Sequence, residues 1–347
     1  MSAGAENPRL AAVRRCMKRR RLDAVLIADA ANLRAFTGLV LDNGVLVVTP
    51  QDATLYTDFR YVAMVHRLAR ELKAGGMKAL AARLARVRGR IGFEAVIPHA
   101  RYLAFAAMAR HSRLVAVDRE LAAVRAVKTP AEIAAIRAAV RLNDRIWALT
   151  KRHLAAGMTE ADIARFIRRQ MVDRGEGEAF ATIVAIGANA AECHHEPDGT
   201  RWDGHTPILV DMGVRLGGMC SDMTRCFVPA RPPRRYREIY ARVLAANRSA
   251  IAAVRPGVSG RELDAVARRS LRPGGLAKAF GHSLGHGVGY EIHEPPVASR
   301  SSDWVLEEGM LVTIEPGVYL EGELGVRIED LVLVTADGCE VLTASEV

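Results

Sequence analysis

Over the first third of the chain, short apolar runs alternate with stretches whose apolar residues recur at helical spacing. The runs Ala24–Ala28, Val45–Val48, Thr54–Thr57, Ile91–Phe93 and Leu114–Val117 read as strands. Tyr61–Leu72 and Leu80–Val87 read as helices between them. Such alternation predicts an α/β domain. No glycine-rich phosphate loop follows any of these strands, so no nucleotide site is expected there. The Arg-rich stretch AAVRRCMKRRRL resembles an organelle transit peptide in composition. It leads directly into the first strand, and reads instead as an amphipathic helix.

Near Val124 the pattern changes. Thr129 stands as an N-cap, Pro130 takes the first helical position and Glu132 lies in the first turn. A long helix is therefore expected to about Leu154, and another over Glu160–Arg174. Strands follow at Ala179–Ile186, Pro207–Gly213, Met219–Phe227, Met310–Glu315 and Gly325–Val334. Helices at Tyr236–Val254 and Gly260–Leu271 interrupt them. This order suggests an α+β domain, an antiparallel sheet covered by helices. The boundary is expected at about residue 123, giving domains 1–122 and 123–347.

Composition narrows the partners. A chain of 347 residues suits two domains. Its net charge of +10 raises nucleic-acid binding. Only 6 of its 49 basic residues are lysine, a skew that reads as coding bias. No helix-turn-helix, zinc-finger or RNA-binding signature accompanies the charge, so no nucleic-acid partner is expected. No apolar run approaches the roughly 20 residues that span a bilayer, so no membrane partner is expected either. The five cysteines are odd in number and form no CxxC, which predicts reduced thiols and a cytoplasmic protein.

The chemistry lies in paired acids. In PILVDMGVRLGGMCSDMTRCF, a turn over Arg215–Gly218 would set Asp211 directly opposite Asp222. Opposed residues have Cβ atoms roughly 5 Å apart. In MLVTIEPGVYLEGELGVRIEDLVLV, Glu315 and Glu329 are symmetric about Gly322. Facing like charges destabilise a sheet unless something positive sits between them. One such pair is most simply exposed or matched by an arginine such as Arg225 or Arg327. Two pairs among apolar residues point to metal. Four carboxylates and one imidazole form a hard, oxygen-rich set suited to two divalent ions, Mn²⁺ first, with Co²⁺ or Zn²⁺ as alternatives. Four negative charges balance two such ions, and a hydroxide bridging them would be the attacking nucleophile.

The imidazole comes from GHSLGHGVGYEIHEP, which holds His282, His286 and His293. Its glycines disfavour a helix, so a loop running into a strand at Tyr290–His293 is expected. HSLGH is not HExxH, so the single-zinc protease motif is absent.

The set DMG, SDMTR, HSLGHGVGYEIHEP, TIEPG and GVRIED resembles the pita-bread metallopeptidases, in particular their proline-specific branch of aminopeptidase P and prolidase. DAVLIADAANLRAFTG and TDFRY resemble the creatinase-type N-terminal domain of that branch, and VKTPAEIAAIRAA and IGANAAECHHEP its later segments. The resemblance implies a smaller α/β N-terminal domain before a pita-bread domain with a curved antiparallel sheet. It implies five metal ligands: Asp211, Asp222, His286, Glu315 and Glu329, with Asp222 and Glu329 bridging. It implies that Glu315 is general base, and that His194 and His293 steady the intermediate and manage the leaving-group proton. His282 would line the substrate pocket, and Arg327 would support Glu329 or balance the charge. His195 and His205 match no required position and read as surface residues.

The expected activity is hydrolysis of Xaa-Pro bonds at the N-terminus of small proline-containing peptides, as aminopeptidase or dipeptidase, by a homodimer. Gly38–Gly44 is the loop expected to reach a partner. The other readings are a methionine-type aminopeptidase, disfavoured by the N-terminal domain, a creatinase-like amidinohydrolase, disfavoured by the five ligands, and a metal-free binding module. Cys193 and Cys226 stand where the resembling proteins carry proline and threonine, and Val297 where prolidases carry arginine. With Cys220, three thiols are expected near the metals.

Overall fold

The computed structural model describes residues 7–69 and 72–347. The chain divides into two compact units after Arg125. The boundary expected before residue 123 falls inside a helix, Asp118–Ala126, that closes the first unit.

In the first unit the strands are β1 (Ala24–Ile27), β2 (Gly44–Val48), β3 (Ala53–Thr57), β4 (Lys73–Gly76), β5 (Gly89–Phe93) and β6 (Ser112–Ala116). The helices are α1 (Pro8–Arg20), α2 (Ala30–Thr37), α3 (Phe59–Leu68), α4 (Met77–Leu84), α5 (His99–Met108) and α6 (Asp118–Ala126). One mixed sheet runs in the order β4-β3-β2-β1-β5-β6. Every residue of β1 and β2 is buried, so their apolar runs are continuous rather than alternating. The helix expected over Tyr61–Leu72 starts earlier, where Asp58 accepts from the Arg60 amide as its N-cap. Residues 70 and 71 of that expectation lie outside the described residues. Strand β4 escapes sequence reading because KAGG carries no apolar signal. A Cβ at Gly75 would lie 2.7 Å from the Tyr56 ring, so the close approach there needs glycine.

The second unit holds helices α7 (Pro130–His153), α8 (Glu160–Arg174), α9 (Arg234–Ile251) and α10 (Gly260–Leu271). Thr129, Thr159 and Ser259 start three of them with complete capping boxes. Its strands are β7 (Ile183–Ile186), β8 (Ile208–Met212), β9 (Arg215–Leu216), β10 (Met219–Cys220), β11 (Met223–Phe227), β12 (Gly285–Gly287), β13 (Glu294–Ala298), β14 (Leu311–Ile314), β15 (Gly317–Leu320), β16 (Leu324–Arg327), β17 (Asp330–Val334) and β18 (Cys339–Val341). All pairings among these named strands are antiparallel.

Two helix pairs cover two groups of strands. Ile146 and Trp147 of α7 and Ile163 and Ile167 of α8 pack on Val210, Met212 and Met223. Val243 of α9 and Leu263 of α10 pack on Val312, Ile314, Val326 and Ile328. Side chains alternate across a strand, so the residues between these apolar positions face the other way. Those residues are Asp211, Asp222 and Thr224 in one group, and Thr313, Glu315, Arg327 and Glu329 in the other. The helices thereby bury one face of the strands and leave the acids on the opposite one.

The first hairpin differs from expectation by one residue at its turn. Leu216 pairs with Met219, so the loop is Gly217–Gly218, both with positive φ. Two consecutive residues at positive φ are what a tight hairpin loop of the favoured twist needs, and glycine supplies both. Moving the centre there shifts the register by two, and Asp211 pairs with Thr224 rather than Asp222. Asp222 sits beside them, in the unpaired step between β10 and β11. The second hairpin keeps the expected symmetry. Ile314 pairs with Asp330 and Gly317 with Arg327, so Glu315 and Glu329 face each other across two matched breaks in the ladders. Tyr290–His293 is not a strand. Residues 288–293 form an irregular connection between the paired strands β12 and β13.

Candidate metal centre

A cavity of about 520 Å³ opens on the acid-bearing face of the second unit. Its lining includes every residue singled out above for the site: His194, Asp211, Asp222, His282, His286, His293, Glu315, Arg327 and Glu329. Ligand atoms of Asp222, His286 and Glu329 all lie within 4.8 Å of one another. His286 Nε2 stands 3.6 Å from Asp222 Oδ2 and 3.4 Å from Glu315 Oε1. Its Nδ1 lies 3.1 Å from the Gly287 carbonyl, a partner that takes the ring proton and leaves the Nε2 lone pair facing the acids. Burial, with His293 packed edge-on at 4.3 Å, pushes His286 down to about 4, so the ring is neutral and able to ligate.

The acids are arranged unequally. Asp211 accepts a 2.6 Å bond from Arg327, while its second oxygen is buried with no hydrogen-bond partner among the described residues. Thr224 donates to Glu329 at 2.8 Å, and Thr313 donates to Glu315 at 3.1 Å. Burial and then the neighbouring carboxylates raise Asp222 and Glu329 well above the usual carboxylate range. Burial lifts Glu315 to about 8. Asp211, Asp222, Glu315 and Glu329 thus share one cavity wall with the Arg327 guanidinium. The orphaned Asp211 oxygen and the mutual repulsion are both relieved by divalent cations, for which this donor set of carboxylates and one neutral imidazole is suited. The residues present fit such a group.

Arg327 reaches further than charge balance. It is 3 % exposed and donates to the Tyr319 hydroxyl at 2.8 Å and to Thr224 Oγ1 at 2.9 Å. Its support of Glu329 is therefore indirect, through Thr224. The Tyr319 oxygen also lies 2.8 Å from His282 Nε2. Thr224, Thr313 and Tyr319 were not expected from sequence. The signal for the two threonines is positional: each lies two residues from an acid on the same strand face. His194 is exposed at the cavity wall, and His293 lies against His286.

Two expectations need correction. His195 is 8 % exposed rather than a surface residue. Its Nε2 lies 2.7 Å from Glu160, which also accepts from the Ile186 and Asp198 amides. His205 is exposed. The three thiols are not gathered at the site. Cys193 lines the cavity, whereas Cys220 Sγ lies 3.9 Å from the Tyr290 carbonyl and Cys226 Sγ 3.5 Å from the Arg327 carbonyl, both outside the lining.

The His195 pair makes a testable contribution to stability. Desolvation lowers the His195 pKa, but hydrogen bonds to Glu160 and Glu192 outweigh it and the net shift is upward. A histidine raised in the folded state stabilises fully below its unfolded value near 6.5, and that contribution fades as pH rises through the folded value. Urea unfolding at pH 6 and pH 8.5 should show a larger loss for the parent than for His195→Gln. Equal losses would mean that the pair does not titrate in this range.

Residues 134–336 match metallopeptidase family M24, and residues 9–127 match the creatinase/prolidase N-terminal domain. The Xaa-Pro dipeptidase of Pyrococcus horikoshii is 31% identical over 337 residues, 95% of each chain. An uncharacterized peptidase of Staphylococcus aureus is 39% identical over 209 residues, 60% of this chain and 60% of its own length. The solved structure of an Xaa-Pro dipeptidase from Bacillus anthracis superposes with a TM-score of 0.93 at 29% identity, covering 98% of both chains.

Proposed function

Because the chain belongs to metallopeptidase family M24, a family of divalent-metal hydrolases, we propose that it cleaves the Xaa-Pro bond at the N-terminus of small peptides. The observation that carries this reading is the convergence of Asp222, His286 and Glu329 within 4.8 Å beside Glu315 and Asp211. Likeness to Xaa-Pro dipeptidases over nearly the whole chain supports the substrate class.

In this reading Asp211, Asp222, His286, Glu315 and Glu329 would hold two divalent ions, Mn²⁺ by preference. Bound there, such ions supply Lewis-acid polarisation of the scissile carbonyl and make water acidic enough to attack at neutral pH. Glu315 takes the proton of the attacking water. Thr313 orients it through the 3.1 Å bond to Oε1. His194 and His293 stand at the cavity wall, where they steady the developing oxyanion and return a proton to the leaving imino nitrogen. His282, held by Tyr319, borders the substrate. Arg327 holds Asp211 in place at the cavity through the 2.6 Å bond to its Oδ2. The enzyme is proposed to work in the cytoplasm as a homodimer, consistent with its five free cysteines.

The test is hydrolysis of Ala-Pro, Ala-Pro-Ala and Met-Ala-Ser by protein loaded with Mn²⁺. Cleavage of either proline peptide, with little of the third, is expected. Preferred cleavage of Met-Ala-Ser would favour the methionine-type reading. No metal uptake and no cleavage would favour a binding module.

A further inference from the structure

Glu329 occupies the weakest stretch of its own hairpin. Residues 328–329 lie between β16 and β17 and belong to neither ladder. Within the hairpin this step is held by a long backbone bond, from the Ile328 amide to the Pro316 carbonyl at 3.5 Å, and not through Glu329 itself. The neighbouring strand β11 holds Glu329. The Glu329 amide donates to the Thr224 carbonyl at 3.2 Å, and the Glu329 carbonyl accepts from the guanidinium of Arg225 at 2.5 Å.

Arg225 is 2 % exposed and uses its whole donor set. One terminal nitrogen donates to the Thr224 carbonyl, at 3.0 Å, and to that of Glu329. The other donates to Asp330 Oδ1 at 2.6 Å and to the Ser345 carbonyl at 3.0 Å. Nε donates to the same Ser345 carbonyl at 3.1 Å. Those five bonds match the five N–H groups of a guanidinium. Ser345 is itself held from the far side. Asp144, on α7, accepts from the amides of Ala344 and Ser345 at 3.1 and 2.9 Å and from the Ser345 hydroxyl at 2.5 Å. The Thr343 hydroxyl accepts from the Leu331 amide at 2.9 Å, so this segment also runs along the start of β17.

We propose that Arg225, seated by Asp330, Asp144 and the segment Thr343–Ser345, is a positioning residue that sets the Glu329 carboxylate for divalent-metal binding. The inference rests on the reading of Glu329 as a metal ligand. Arg225 and Asp144 are absent from the cavity lining, so their influence on the site runs through the backbone of residue 329. Partners of this kind, one shell behind a ligand, typically govern 10- to 100-fold in metal affinity or activity.

The test uses the full chain stripped of metal. Asp144→Ala frees Ser345 without touching the cavity, and Arg225→Lys keeps the charge but cannot reproduce the planar fork. Calorimetric titration with Mn²⁺ should show affinity falling about 10-fold in Asp144→Ala and up to about 100-fold in Arg225→Lys. Asp144→Asn, which keeps an acceptor oxygen, should recover part of the loss. KM for Ala-Pro-Ala at saturating Mn²⁺ should stay within about twofold, since the cavity is unchanged. Amide hydrogen exchange in the metal-free protein supplies an independent measure. Glu329 and Asp330 should exchange faster in Asp144→Ala, while amides of α8 exchange as in the parent. Unchanged Mn²⁺ affinity and unchanged exchange at Glu329 in folded Asp144→Ala would overturn the proposal, whether or not Arg225→Lys folds. A parent that binds no Mn²⁺ would instead overturn the reading of the site, and exchange at Glu329 would still decide whether the clamp exists.

Discussion

Glu315→Gln is expected to abolish peptide hydrolysis, with kcat falling about a thousandfold or more and KM changing little. The substitution is isosteric, so the 3.1 Å bond from Thr313 and the contact with His286 can be kept in outline. What is lost is chemical. An amide cannot take a proton from water, and it offers metal one weak neutral donor in place of a charged one. The same change should not damage the fold. Burial raises Glu315 to about 8, so in the metal-free protein its charged form is disfavoured. A carboxylate raised in the folded state loses stability as pH climbs from its unfolded value near 4.3 to its folded value near 8. Gln removes that loss. Thermal melts of the metal-free proteins should therefore place the variant at or above the parent, with the advantage larger at pH 8.5 than at pH 5. Initial-rate assays on Ala-Pro-Ala give the catalytic arm. Activity within tenfold of the parent would remove Glu315 from the proton-transfer role.

The architecture was largely legible because the helices and strands announce themselves locally. Thr129, Pro130 and Glu132 mark a helix start within four residues. The pairing of Glu315 with Glu329 was legible from symmetry about Gly322, whose positive φ of 68° marks the turn. The pairing of Asp211 was misjudged because a one-residue error at a glycine turn moves the partner by two. Gly217 and Gly218 together, rather than Leu216 and Gly217, carry the reversal. The error left Asp211 and Asp222 on one face of the strands, since a shift of two keeps every side chain on its own face. His195 was misread for a different reason. Its partner Glu160 lies 35 residues away at the start of α8, and nothing in the local pattern ties the two. The Asp211–Arg327–Tyr319–His282 chain is equally non-local, joining residues from three segments, and only the fold brings them together. Local order is written in neighbouring residues, whereas second partners of buried polar groups are written in the topology.

Removal of divalent metal should stop hydrolysis altogether, and its return should release protons. In the metal-free site burial, and then neighbouring carboxylates, raise Asp222 and Glu329 well above the usual carboxylate range, and burial raises Glu315 to about 8. Near pH 7 Glu315 therefore holds a proton that a metal ion must displace. Titration of Mn²⁺ into metal-free protein, in buffers of different ionisation enthalpy, should reveal that release. Affinity should climb as pH rises through about 8, where Glu315 loses its proton. Stability should follow the same linkage, since a ligand present at a thousand times its Kd adds about 4 kcal/mol to a fold that alone can bind it. The metal-loaded protein should accordingly melt well above the chelated one, and the gap should widen from pH 6 to pH 8. Metal binding without proton release, and with affinity independent of pH, would mean that the ion sits on groups already charged in its absence. Asp222, Glu315 and Glu329 would then not be its ligands, because their carboxylates are the ones that burial in this cavity pushes toward the neutral form until a cation arrives.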